Sequence, residues 1–247
     1  MSVVTQTVGD YTAITMDDGK VNAVTQPLIQ GLDTALDEAK EGRGVLLVGR
    51  QKVFCAGLDL GLVEQGDLDE AKAFLRQFNA FLRRLILYPR PMVAAVNGHA
   101  IGAGAILALA CDVRLGVPEG RIGVTGARLG LNFPTGALEI SRLGLGPQAA
   151  ERAILRGELA TGNARLEQGF LHEVVPSGEL LQKAEARLQA LMSVDLGVYE
   201  RSKQRLRAPV IDRIDRYEAD DDAFFIQAIT SEATRRRLAG AVEPSNA

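Results

Sequence analysis

The sequence predicts an α/β fold assembled from repeated strand and helix units. Two short apolar runs, GVLLVG at 44–49 and MVAAVN at 92–97, are too brief for helices and show no alternation, as expected of parallel strands buried on both faces. Each run is preceded by a helical pattern and followed by a glycine-bearing turn and another helix, so one unit occurs twice. A fainter third copy runs through DVRLGVPEGRIGVTGARLGLNF. Such repetition gives either a doubly wound sheet or a β/α spiral, and the pattern alone leaves both open.

The elements follow in order. Residues 3–16 alternate as a strand does and end in a turn at Asp17–Gly19. Leu28, Leu32, Ala35, Leu36 and Ala39 then recur at helical spacing, with Thr25 as N-cap and Gly42 as stop. After the first buried strand, QKVFCAGLDLGL reads as a loop. Asp69–Leu87 is a helix with Phe74, Phe78, Phe81, Leu82 and Leu85 on one side, closed by Tyr88-Pro89-Arg90-Pro91. The second strand leads through the turn GHAIGAG into the apolar helix AGAILALA. From Pro147 the chain turns helical. Residues 195–240 hold nine acidic and nine basic side chains and read as a solvated helical appendage laced with i,i+4 pairs and suited to an oligomer contact. Residues 1–190 are therefore expected to form the core and 191–247 a helical C-terminal region.

Composition narrows the function. The 247 residues are 47% hydrophobic and 24% charged, an ordinary globular balance with material for a sizeable core. A net charge of −3 offers no global field for nucleic acid or an anionic membrane. The apolar stretch Met92–Ala110 is broken by Asn97, His99 and three glycines, so a membrane span is not expected. The opening MSVVTQTVGDYTAITMDD has neither a basic stretch nor a long apolar run, which points to the cytoplasm. Two cysteines, Cys55 and Cys111, in apolar surroundings read as reduced buried thiols. His99 and His172 form no triad and no metal-ligand spacing, so no metal is expected. The 26 glycines, against no tryptophan, eight Phe and four Tyr, imply close backbone approaches.

Two loops join a buried strand to a helix through small residues. In Phe54-Cys55-Ala56-Gly57-Leu58-Asp59, Gly57 permits a sharp turn that leaves the Leu58 N–H facing outward. Gly102-Ala103-Gly104 opens the apolar helix with unpaired N–H groups and the positive helix end. Two such donors form a site for an oxyanion, although the same glycines would also serve simply to pack helix against strand. A dinucleotide fingerprint fits poorly, because no third glycine follows Gly104 at the required spacing.

At these residues the chain resembles the crotonase family, the enoyl-CoA hydratases and isomerases. The matching text is KVNAV at 20–24, VFCAGLDL at 53–60, PMVAAVNGHAIGAG at 91–104, CDVRL at 111–115 and the span from ARLGL to SRLGL at 127–145. The resemblance implies a ββα spiral core with a helical C-terminal trimerisation region, in a homotrimer or hexamer. It implies an acyl-CoA thioester as ligand, with coenzyme A arriving in the substrate and no separate cofactor. The thioester carbonyl would sit on the N–H groups of Leu58 and Ala103, flanked by Ala56, Gly57 and Gly102. Backbone at Ala23 and at Leu58, Asp59 and Leu60 would meet the adenine and pantetheine parts.

The departures are as informative. The family's hydratases use two glutamates, and their places here hold Ile106 and Gly126, neither of which moves a proton. Water addition needs a base and an acid, so ordinary hydration is not expected. Remaining acid–base candidates are Glu139, Asn132 or Thr125 through water, and the acids from Glu64 to Glu70. Some relatives with glycine at the second place use a bound bicarbonate, which puts an exogenous anion near Gly126 among the expectations. A CoA-ester-binding protein with little catalysis is the alternative reading.

Overall fold

The structure is a computed structural model that describes residues 2–59, 61 and 67–242. β1 (Val3–Val8) and β2 (Tyr11–Met16) form an antiparallel hairpin, so the single strand expected over 3–16 is two, divided at Gly9 with φ +58°. β2 continues in parallel pairing to β4 (Gly44–Val48), then β7 (Met92–Val96), β9 (Val113–Gly116) and β11 (Glu173–Val174), giving a sheet of order β1-β2-β4-β7-β9-β11. A smaller sheet of order β10-β8-β5 joins Lys52–Cys55 (β5), Gly98–Ile101 (β8) and Ile122–Gly123 (β10) in parallel. Ala23–Val24 (β3) pairs with Gly57–Leu58 (β6).

Two segments read from the sequence as loop and turn, 51–62 and 98–104, thus carry strands. They are short and glycine-broken, and their pairing is lateral to a neighbour decades away in sequence, which no local alternation records. Each winding of the chain places one strand in the large sheet, one in a small sheet and then a helix. This is a ββα spiral, not a doubly wound sheet.

The helices are α1 (Gln26–Glu38), α2 (Leu68–Leu87), α3 (Ala103–Ala110), α4 (Gly126–Leu129), α5 (Thr135–Leu145), α6 (Pro147–Arg156), α7 (Ala164–Glu167), α8 (Leu180–Met192), α9 (Leu196–Thr230) and α10 (Glu232–Val242). Thr25 caps α1, its hydroxyl accepting from the Leu28 N–H at 3.3 Å, and Asp67 caps α2. The pleat of β4 divides the core: Val45 and Leu47 face α1, α2 and α3, whereas Leu46 and Val48 face Leu180, Ala184, Leu188 and Met192 of α8. No helix among the described residues is long and apolar enough to cross a membrane.

The C-terminal stretch is bound to the core more than it is solvated. It comprises two helices, and Lys203, Val210, Ile214, Phe225 and Ile229 of α9 are buried. Its charges reach across to other elements: Lys203 Nζ and Arg207 Nη2 lie 2.7 and 2.8 Å from the Asp112 carboxylate, and Arg213 Nη2 lies 2.5 Å from Glu139 Oε2. Among the described residues of this stretch only Arg236 and Glu232 form an ion pair at i,i+4.

A histidine on β11's approach gives the fold a pH dependence. Buried Arg114 of β9 donates to the carbonyls of Phe170, Cys111 and Gly144 at 2.8, 2.9 and 3.0 Å. His172 Nδ1 accepts from the Arg114 backbone N–H at 3.1 Å, and its other ring nitrogen stands 3.3 Å from Arg114 Nη2. A second ring proton would meet a donor. Burial first, then the Arg114 charge, push His172 down to about 4 from 6.5. The unfolded chain therefore takes up a proton that the fold refuses, and stability that is full above about pH 6.5 falls as pH drops toward 4. With one face of the ring in solvent, the expected loss is about 1 kcal/mol, read by urea unfolding at pH 7 and pH 4.5 and absent from a His172→Gln chain.

Candidate active site

A cavity of about 440 Å³ opens where the two glycine-bearing loops meet. Ala56, Gly57 and Leu58 form one rim and Gly102 and Ala103 the other, with Thr125 and Gly126 between them and Phe78, Phe133 and Phe225 closing the apolar end. Gly57, at φ +100°, presses so close that a methyl there would lie 2.7 Å from the Ile101 carbonyl oxygen and 3.5 Å from the Ala103 nitrogen. Only glycine brings the loops this near. Gly104, the next residue after Ala103, does the same against the backbone of Cys55.

Ala103 is the first residue of α3, whose N-terminal N–H groups have no intrahelical acceptor. The Gly102 N–H donates to the Gly123 carbonyl and the Gly102 carbonyl accepts from Ile106, but the Ala103 N–H has no acceptor among the described residues. It faces the cavity beside β6 with the positive end of the helix behind it.

The cavity wall carries no carboxylate among the described residues; its polar members are Thr125, Arg128 and Asn132. Ile106 is 1% exposed and lines the wall. A Cβ at Gly126 would lie 2.7 Å from Cζ of Phe133, so an apolar ring occupies the space in which an exogenous anion was expected. That expectation is not met: the space beside Gly126 is taken by the ring, against which an anion would be desolvated.

Glu139 is also corrected. It lies two residues beyond cavity-lining Ala137, about 200° round the helix, and its carboxylate faces α9, on Arg213 and Arg142. Asn132 lines the wall and its Nδ2 donates to the Asp221 carbonyl at 3.0 Å. Ala23 and Asp59 are not on the wall: Ala23 pairs with Gly57 behind the rim, and Asp59 accepts from the Gly61 N–H beside a pocket of about 150 Å³ that it shares with Val24 and Phe74. Leu60, and Glu64 among the acids proposed as alternatives, lie outside the described residues. Asp112 has a structural place, accepting from the Met92 N–H at 2.8 Å. His99 faces another cleft, and Cys55 and Cys111 are free thiols that burial pushes up to about 12.

Sequence reasoning missed the aromatic end of the cavity. Phe78 and Phe225 sit on helices far apart in the chain, and no spacing signal joins them. No group of three or more His, Cys, Asp or Glu suited to a metal occurs among the described residues.

Comparison with known proteins agrees with this architecture. A putative enoyl-CoA hydratase of Thermus thermophilus is 36% identical over 163 residues, 64% of this chain and 63% of that relative, so the match spans less than two thirds of its length. A short-chain-enoyl-CoA hydratase of Clostridium acetobutylicum is 26% identical over 98% of this chain and 95% of its own. Among solved structures, an enoyl-CoA hydratase of Mycobacterium ulcerans superposes with a TM-score of 0.85 at 29% identity, covering 91% of this chain and all of that one. The human mitochondrial delta3-delta2-enoyl-CoA isomerase, at 24% identity, shares the fold with a TM-score of 0.92 over 98% of this chain and 97% of its own. The family model for enoyl-CoA hydratase/isomerase matches residues 8–244, and with the spiral core and its two adjoining loops the chain belongs to the enoyl-CoA hydratase/isomerase, or crotonase, family.

Proposed function

We propose that the chain binds an acyl-CoA thioester with its carbonyl oxygen between the N–H groups of Leu58 and Ala103, and stabilises the enolate charge that builds there. The observation that carries this is the approach of Gly57 to Ala103 at the mouth of an apolar cavity with no carboxylate on its described wall. When electrons flow from the acyl chain into the thioester, charge collects on the carbonyl oxygen. Two fixed donors in a water-poor site stabilise it by several kcal/mol. Coenzyme A enters as part of the substrate. The same reading includes a homotrimer or hexamer, with exposed Val198 and Leu206 of α9 available for contact.

Proton transfer by a cavity carboxylate has no place in this mechanism. Reactions that suit it let the substrate or water carry the proton, as when a malonyl-type ester loses carbon dioxide and leaves its electron pair on the thioester. Hydration of crotonyl-CoA is expected to run at least ~100-fold below the ~10 s⁻¹ of an ordinary enzyme, since each positioned acid or base contributes that much or more. The test follows thioester absorbance and product mass with crotonyl-CoA, a 3-enoyl-CoA and malonyl-type esters. Turnover of one of them above a Gly104→Pro baseline supports catalysis, whereas tight binding without turnover favours the alternative of a CoA-ester-binding protein. Absence of any acyl-CoA binding overturns both, and fast crotonyl-CoA hydration overturns the exclusion of a protein acid.

A further inference from the structure

A second cleft, of about 900 Å³, shares no wall with the acyl cavity and lies beyond the carboxyl ends of β4, β7 and β9, at Gly49, Asn97 and Val117. The scaffold of the cleft is fixed: Asn97 Nδ2 donates to the carbonyls of Gly49 and Arg50 at 2.9 and 2.6 Å.

One wall contains an unusual residue choice. Arg50–Val53 is a tight turn closed by the Val53 N–H on the Arg50 carbonyl at 3.1 Å, and its third residue, Lys52, holds φ +69°. That position suits glycine or asparagine, and a lysine there carries strain that glycine would relieve. Its side chain is exposed at the cleft and has no ion-pair partner among the described residues. Of the other charges, Arg50 pairs with Asp17 at 3.1 Å, and Glu119 accepts a hydrogen bond from the Ser177 hydroxyl at 3.2 Å and keeps its negative charge. His99 Nδ1 accepts from the Arg121 N–H at 3.2 Å, so the neutral ring carries its proton on Nε2 as a donor. Lys52 is therefore the cation of the cleft without an ion-pair partner among the described residues, and the His99 Nε2–H is a donor on the next strand, at the position paired with Val53. Val48, Val117, Leu180 and Leu181 supply an apolar wall beside them, with Leu181 54% exposed.

We propose that this cleft binds a small amphipathic carboxylate, its charge held by Lys52 and the His99 Nε2–H and its hydrocarbon laid on Val48, Val117 and Leu181. A carboxylate accepts from both donors and pairs with the unpartnered Lys52 ammonium, and the apolar wall takes a chain that inorganic anions lack.

The chain's two histidines make the test selective, because His99 reports the cleft and His172 serves as an internal reference. Octanoate titrated into the full chain is expected to shift the His99 ring resonances in a saturable way and leave those of His172 in place. In a Lys52→Gly chain the midpoint is expected to rise about tenfold or more, the worth of one charge-assisted hydrogen bond. Glycine adopts φ +69° freely, so this variant should melt at or above the parent's temperature, and lost binding cannot be ascribed to unfolding. An unmoved His99 up to the solubility limit of octanoate overturns the proposal, as does a midpoint unchanged by Lys52→Gly. Equal shifts with inorganic phosphate or with 1-octanol overturn the amphipathic or the anionic half respectively.

Discussion

Asp112→Ala is expected to cost about 3–5 kcal/mol of folding stability, the usual penalty for leaving buried partners of an ion pair uncompensated. The carboxylate has 13% side-chain exposure, and its partners Lys203 and Arg207 have 7% and 13%. Burial pushes the Lys203 ammonium below the usual lysine range, and the Asp112 charge acts against that shift. Without the carboxylate, two cations of α9 face each other and the Met92 N–H loses its acceptor. For a chain of this size the melting temperature should fall by roughly 10 °C or more. The double variant Asp112→Ala/Lys203→Met is expected to lie well short of the sum of the single losses, because it removes one stranded charge. Additivity within about 0.5 kcal/mol in a urea-unfolding cycle would show the groups to be uncoupled. The consequence reaches the site, since α9 also carries Phe225 into the cavity wall.

That ion pair marks the limit of what the sequence displays. β4 and β7 were legible because five consecutive buried residues leave an apolar run that only a doubly covered strand explains. β5 and β8 were not, because four residues around a glycine carry no periodic signal and their pairing is with each other across a winding of the spiral. The charges of α9 read as a solvated face because their partners stand far off: Asp112 and Lys203 are 91 residues apart. The rim of the candidate site was legible through Gly57, Gly102 and Gly104, whose lack of side chains is itself the geometric requirement. Its aromatic end was hidden, since Phe78 has the same core-facing helical spacing as Phe74 and Phe81. Glu139 entered as an acid by elimination, and elimination along a chain says nothing about which face of α5 meets the cavity.

Gly57→Ala is expected to abolish the function proposed for the cavity while leaving a folded protein. The added methyl would meet the Ile101 carbonyl oxygen at 2.7 Å; that oxygen is backbone and the methyl is fixed on its Cα, so relief must come from moving one loop away from the other. The Leu58 and Ala103 N–H groups would then no longer converge on one oxygen. Losing a single oxyanion donor costs about 100- to 1,000-fold in rate, and a misplacement of about 1 Å costs about 100-fold, so a loss in that range is expected for whichever thioester the parent consumes. Conformational strain must be separated from displacement, because φ +100° is itself unfavourable for alanine. Gly9→Ala supplies the control. Gly9 also has positive φ, +58°, yet a Cβ there meets nothing within 4 Å and the β1–β2 turn is remote from the cavity. Both variants should lose about 1 kcal/mol or more to strain, whereas only Gly57→Ala should lose turnover. A folded Gly57→Ala chain that turns over the same thioester at the parent's rate would show that the carbonyl is not held between these loops.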